Sequence, residues 1–146
     1  MTKSAITAIA LAAFLPFSAV AQGQIPGQHF IENWDQDGDA QVTLAEASEK
    51  RGDVFFMFDQ DENGALDSAE YDLFDETRVQ DMQNNGGGHQ KGQMKSVNRG
   101  LMRDFNDTDK DGLVTEAEFQ AHVPDWFAMM DRNGDGVITT ADFGRG

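Results

Sequence analysis

Apolar residues in this chain come in short bursts, separated by acidic segments. Phe30, Ile31 and Trp34 fall at helical spacing and stop at Asp35. The burst at 47–58 (ASEKRGDVFFMF) carries Gly52 and Asp53 in its middle, placed like a helix stop followed by an N-cap, so it predicts two very short helices. Tyr71, Leu73 and Phe74 predict a helix that fades by Gln83. Leu101, Met102 and Phe105 open the second half, and 119–130 (FQAHVPDWFAMM) contains Pro124, whose missing N–H suits the first turn of a new helix. The expected fold class is all-α.

Four twelve-residue acidic segments begin at Asp35, Asp59, Asp107 and Asp131, in steps of 24, 48 and 24. Each has oxygen-bearing side chains at positions 1, 3, 5, 9 and 12 and one aliphatic residue at position 8: Val42, Leu66, Val114 or Ile138. Position 6 is glycine in three of them and Ala40 in the first. A fifth segment in phase would start at Gln83, but QNNGGGHQKGQM contains no carboxylate. Only twelve residues separate the two segments within each half. One unbroken helix of that length would hold them about 18 Å apart. Gly52 and Pro124 fall at the same phase of each half, 17 residues after its first aspartate. A bend at each would let the first segment pair with the second through Val42 and Leu66, and the third with the fourth through Val114 and Ile138. Pairing across the halves is the alternative.

Each segment resembles the calcium loop of the EF-hand superfamily, in which an ion takes six to eight oxygens. Four such segments, spanning most of 29–144, are similar to those of small exported bacterial calmodulin-like proteins. The resemblance implies up to four Ca²⁺ and four helix-loop-helix units in two pairs. It also implies four ligand sets: Asp35, Asp37, Asp39, the Gln41 carbonyl and Glu46; Asp59, Asp61, Asn63, the Ala65 carbonyl, Asp67 and Glu70; Asp107, Asp109, Asp111, the Leu113 carbonyl and Glu118; and Asp131, Asn133, Asp135, the Val137 carbonyl and Asp142. Thr43, Thr115 and Thr139 occupy position 9, to act directly or through water. Ala40 and Asp142, one methylene shorter than glutamate, predict weaker first and fourth sites, with Mg²⁺ admitted at the fourth. The 24-residue step is also similar to the lanmodulin family of lanthanide binders. Those loops carry proline at position 2 and usually aspartate at position 9, whereas this chain has Gln36, Gln60, Thr108 and Arg132 at position 2 and only Asp67 at position 9.

The N-terminus changes the picture of where this happens. Lys3, the apolar run Ala5 to Phe17 and the small residues Ala19-Val20-Ala21 predict a signal peptide over 1–21, hence a periplasmic or secreted product. The expected organisation is then a tether at 22–28, a first loop pair at 29–83, a flexible basic linker at 84–99 and a second pair at 100–146. With no cysteine, rigidity must come from a small core or from metal.

A formal charge of −15, or −16 after loss of Lys3, argues against nucleic acid and anionic membranes as partners. Cations are the natural ligands, and a monomer without a membrane anchor is expected. His29, His89 and His122 are not spaced as catalytic or metal ligands, so an enzyme is not expected. Met102, Met129 and Met130, with Phe105, Trp126 and Phe127, would form either a small core or an adaptable groove for a partner. The role is accordingly calcium sensor or buffer.

Overall fold

The computed structural model describes residues 25–84 and 92–144, so the expected signal peptide and the first three residues of the tether, 22–24, lie outside the described residues. The first helix, α1 (Gln28–Trp34), buries Phe30, Ile31 and Trp34, and the chain then enters the first acidic loop. A two-residue strand β1 (Val42–Thr43) leads into α2 (Leu44–Phe58). The second loop ends in β2 (Ala65–Leu66) and α3 (Ser68–Asn84). The second half runs α4 (Met94–Arg99), α5 (Arg103–Asn106), β3 (Val114–Thr115), α6 (Glu116–Ala121), α7 (Val123–Met130), β4 (Val137–Ile138) and α8 (Thr140–Phe143). No helix among the described residues is long and apolar enough to cross a membrane.

The expected bend at Gly52 is absent: α2 runs unbroken from Leu44 to Phe58, with Gly52 and Asp53 inside it. Gly52 instead permits close packing, because a Cβ there would lie 3.2 Å from Nε2 of Gln120 on α6. The break near Pro124 does occur, with His122 between α6 and α7 and proline in the first turn of α7. A straight α2 of 15 residues holds the first and second loops about 22 Å apart along its axis, too far to pair.

The loops therefore pair across the halves, and pairing of neighbours is corrected. Val42 lies opposite Ile138 and Thr43 opposite Val137, joining the first loop to the fourth. Ala65 lies opposite Thr115 and Leu66 opposite Val114, joining the second to the third. Both pairs are antiparallel, and the Glu116 N–H donates to the Gly64 carbonyl at 3.2 Å to extend the second.

This pairing puts both halves into one core rather than two lobes. The rings of Trp34 and Trp126, one from each half, lie 4.7 Å apart, and those of Phe55 and Phe119 lie 5.9 Å apart. Phe30 meets Phe143 at 5.5 Å, tying the first described helix to the last. The expected linker 84–99 is helical over Met94–Arg99, which corrects that boundary; 85–91 lie outside the described residues. Its single buried apolar residue, Val97, offers its carbonyl to Trp126 Nε1 at 3.0 Å. Gly100 follows, and a Cβ there would stand 1.8 Å from Trp126 Cδ1, so only glycine lets the indole lie against this backbone.

A buried polar knot crosses the core. Arg51 is fully buried and donates to the carbonyls of Gly100 (2.9 Å) and Phe119 (2.7 Å) and to Asn106 Oδ1 (2.7 Å). Its guanidinium lies 4.0 Å from the centre of the Phe119 ring, a cation–π contact. Asn106 Nδ2 donates in turn to Tyr71 Oη at 3.1 Å, and the Tyr71 hydroxyl donates to the Leu101 carbonyl at 2.9 Å. Burial lowers the Arg51 pKa to about 10 and raises that of Tyr71 to about 12. Arg51 stays cationic at neutral pH all the same, since guanidinium does not give up its proton in proteins.

Candidate metal sites

Each acidic loop is folded by its own backbone donating to its own side chains. The position-1 aspartate accepts the position-6 N–H in every loop: Asp35 from Ala40 at 2.8 Å, Asp59 from Gly64 at 2.9 Å, Asp107 from Gly112 at 3.2 Å and Asp131 from Gly136 at 2.9 Å. The position-3 side chains of Asp37, Asp61, Asp109 and Asn133 accept the N–H two residues on. The position-5 side chains of Asp39, Asn63, Asp111 and Asp135 accept from the N–H groups of Gln41, Ala65, Leu113 and Val137. These repeated Asx-type turns curl the chain so that the acidic side chains converge.

The turn at position 6 needs a left-handed backbone, and Ala40 adopts it at φ 66° where the other loops use glycine. An alanine there costs on the order of 1 kcal/mol relative to glycine. The first loop therefore carries the expected strain within an otherwise equivalent fold.

The position-12 acids close the loops from the far end. Glu46 accepts from the Gln36 N–H at 3.0 Å and the Thr43 N–H at 2.8 Å, one oxygen each. Glu70 does the same with Gln60 and Asp67, and Glu118 with Thr108 and Thr115. Asp142 keeps the arrangement despite its shorter arm, accepting from Arg132 at 3.0 Å and Thr139 at 2.9 Å, and it is almost fully buried. Thr43, Thr115 and Thr139 are also the N-caps of α2, α6 and α8, in capping boxes with these same acids. Asp67 serves α3 similarly, its Oδ1 accepting from Ala69 and Glu70. Position 9 thus starts a helix in every loop, a role that the oxygen pattern alone does not reveal.

Three carboxylate clusters result, each with its oxygens within 4.8 Å of one another: Asp35, Asp37 and Asp39; Asp59, Asp61 and Glu70; and Asp107, Asp109 and Glu118. Glu46, Asp67 and Asp111 stand outside these triads, and Asp131, Asp135 and Asp142 form no such triad among the described residues. In the fourth loop Asn133 occupies one arm and donates to Asp135 at 2.9 Å.

The electrostatics reflect crowding and backbone compensation. At Asp37 the Asp39 N–H bond lowers the pKa, yet desolvation and repulsion from Asp39, Glu46 and Asp35 outweigh it and the net shift is upward. Glu46 and Glu118 are shifted downward, chiefly by the N–H groups of Thr43 and Thr115. In the third loop Asp107 Oδ1 is buried and accepts no hydrogen bond among the described residues. A buried carboxylate oxygen without a partner is costly, and a cation would satisfy it. The donor set, all oxygen and mostly anionic, fits a hard divalent ion.

A comparison with protein families matches residues 125–145 to the family described as EF hand. The match spans most of α7, the fourth loop and α8. No curated protein matches the chain. The match and the acidic triads together support the EF-hand superfamily and calcium as the ligand.

Proposed function

We propose that this is an exported calcium-binding protein whose four loops take Ca²⁺ and whose folding is coupled to that binding. The observation that carries the reading is the convergence of three carboxylate triads in loops braced by the same backbone bonds. Asp35, Asp37, Asp39 and Glu46 would hold the first ion, and Asp59, Asp61, Asn63, Asp67 and Glu70 the second. Asp107, Asp109, Asp111 and Glu118 would hold the third, and Asp131, Asn133, Asp135 and Asp142 the fourth, with the carbonyls of Gln41, Ala65, Leu113 and Val137 contributing one oxygen to each site. The second and third sites are the tightest. The first is weakened by Ala40 and the fourth, which admits Mg²⁺, by its missing triad.

The ligand positions gather fifteen carboxylates whose repulsion opposes compaction until metal arrives. Trp126, Phe127 and Met130 are buried, and Phe105 and Met129 pack partly buried against the same core, which leaves Met102 as the exposed member of this apolar set. That favours a metal-stabilised buffer over a sensor, and binding over catalysis. The signal peptide expected from the sequence supports an activity outside the cytoplasm, where calcium near 10⁻⁴ to 10⁻³ M suits modules of this kind.

Far-ultraviolet circular dichroism tests the coupling: helicity should rise sharply when calcium replaces chelator. Equal helicity in both would overturn it. Parallel titration with La³⁺ tests the lanthanide alternative, which requires a preference far beyond that of any oxygen-rich loop for a hard trivalent ion.

A further inference from the structure

A pocket of about 340 Å³ opens between α1, α2, α3 and α4, on a face that none of the four loops lines. Its wall includes Trp34, Val54, Met57, Phe74, Met94 and Leu101. Met57 is 68% exposed although it lies beside this apolar surface. The volume is at the small end of the roughly 300–1,000 Å³ typical of small-molecule sites, which suits one chain or one ring rather than a diacyl lipid.

The polar residues at this pocket depart from the rest of the molecule. The chain has 26 acidic and 11 basic residues, yet among the described residues the pocket is lined by Lys50, Arg78 and His29 against a single carboxylate, Asp81. Two of the three bases are engaged. Arg78 pairs with Asp75 at 2.5 Å and donates to the Asn98 carbonyl at 3.2 Å, and His29 meets Asp81 at 3.1 Å. Lys50 is half-buried and forms no ion pair or hydrogen bond among the described residues. Lys50 supplies a local positive charge beside the apolar cleft, and a carboxylate in direct contact with it gains more from that charge-assisted bond than it loses to the screened negative field of the rest of the protein.

We propose that this pocket binds a single-chain amphiphile with an anionic head, of the free alkyl carboxylate class, its chain in the cleft and its carboxylate on Lys50. None of the loop ligands lines the pocket, so in the calcium-loaded protein the proposal is tested separately from the assignment of the metal ligands. The anionic head distinguishes it from a cleft that takes any apolar body.

The test is calorimetric titration of the calcium-loaded protein with octanoate, octylammonium and octanol, which share a chain and differ in head group. Octanoate should bind about tenfold tighter than octylammonium, the scale of one charge-assisted bond. Lys50→Gln should abolish that preference and Lys50→Glu reverse it, with thermal melting unchanged in both. Equal binding of the three probes, or an octanoate affinity unmoved by Lys50→Gln, would overturn the proposal. So would retention on phosphatidylglycerol vesicles without octanoate binding, which would assign the face to a membrane surface. A concentration-dependent dimer that octanoate does not dissociate would assign it to a second copy and equally defeat the idea.

Discussion

Val42 lies directly opposite Ile138 in an antiparallel pair, so the first acidic loop is bonded to the last. Leu66 opposite Val114 does the same for the inner two. With Trp34 and Trp126 in contact at 4.7 Å, the halves share one core, and tryptophan emission cannot report them separately. Trp126→Phe should therefore perturb Trp34 emission throughout a calcium titration, whereas independent lobes would leave the Trp34 signal unchanged.

Arg51 reaches Asn106 at 2.7 Å from the other half of the sequence. Arg51→Met would take the Arg51 donor from the Asn106 amide oxygen and the Phe119 carbonyl in the core, while the Gly100 carbonyl keeps its bond from Asn106 Nδ2. We expect a loss of about 3 kcal/mol in urea unfolding. Arg51→Lys should recover only part of it, because an ammonium lacks the planar fork. A loss in Arg51→Met within the range of a surface substitution would show the knot to be dispensable.

Two glycines should respond oppositely to the same change. Gly100→Ala drives a methyl into the Trp126 ring and should cost about 3 kcal/mol. Gly52→Ala meets only the Gln120 amide at 3.2 Å; a shift of a few tenths of an ångström within its Ser48 bonds admits the methyl, and the added helix propensity then gives a gain of up to about 0.5 kcal/mol. Thermal melts decide it, and a destabilised Gly52→Ala would show that Gln120, tied to Ser48, does not give way to the methyl.

Tyr71 is the single tyrosine, so tyrosinate absorbance reports it alone. Burial holds its folded pKa at about 12, above the ordinary 10.0. The folded state then binds the proton more tightly, so this contribution to stability is intact below pH 10 and is lost as pH rises toward 12. Tyr71→Phe should flatten that alkaline limb. Ionisation near pH 10 in the folded protein would place the phenol in solvent.

Much of this architecture was legible because local chemistry dictates it. Oxygen spacing marked the loops, Pro124 marked the break before α7, and the aliphatic position-8 residues marked the strands. Which strands meet was not legible, because it depends on whether α2 bends at Gly52, and a glycine that ends a helix has the same letter as one that admits a neighbour. The helix at Met94–Arg99 was hidden for a related reason: it buries one apolar residue, Val97, and owes its place to Gly100 and Trp126. Asn106 departs from the Trp34, Phe58 and Met130 that precede the other loops, but its partner Arg51 carries no local signal.

Ala40 offers a direct test of loop strain. Ala40→Gly should relieve about 1 kcal/mol and tighten calcium at the first site about fivefold. Chelator-competition calorimetry would detect this, and an unchanged affinity would mean that the left-handed turn costs the loop nothing.

The most direct test of the whole account is calorimetric calcium titration of the protein beside Glu46→Gln and Glu70→Gln. Calcium uptake should saturate below about 1 mM. Glu46→Gln should weaken the first and fourth sites together, and Glu70→Gln the second and third. No uptake in that range, or a Glu46→Gln effect that falls on the second loop instead of the fourth, would contradict it.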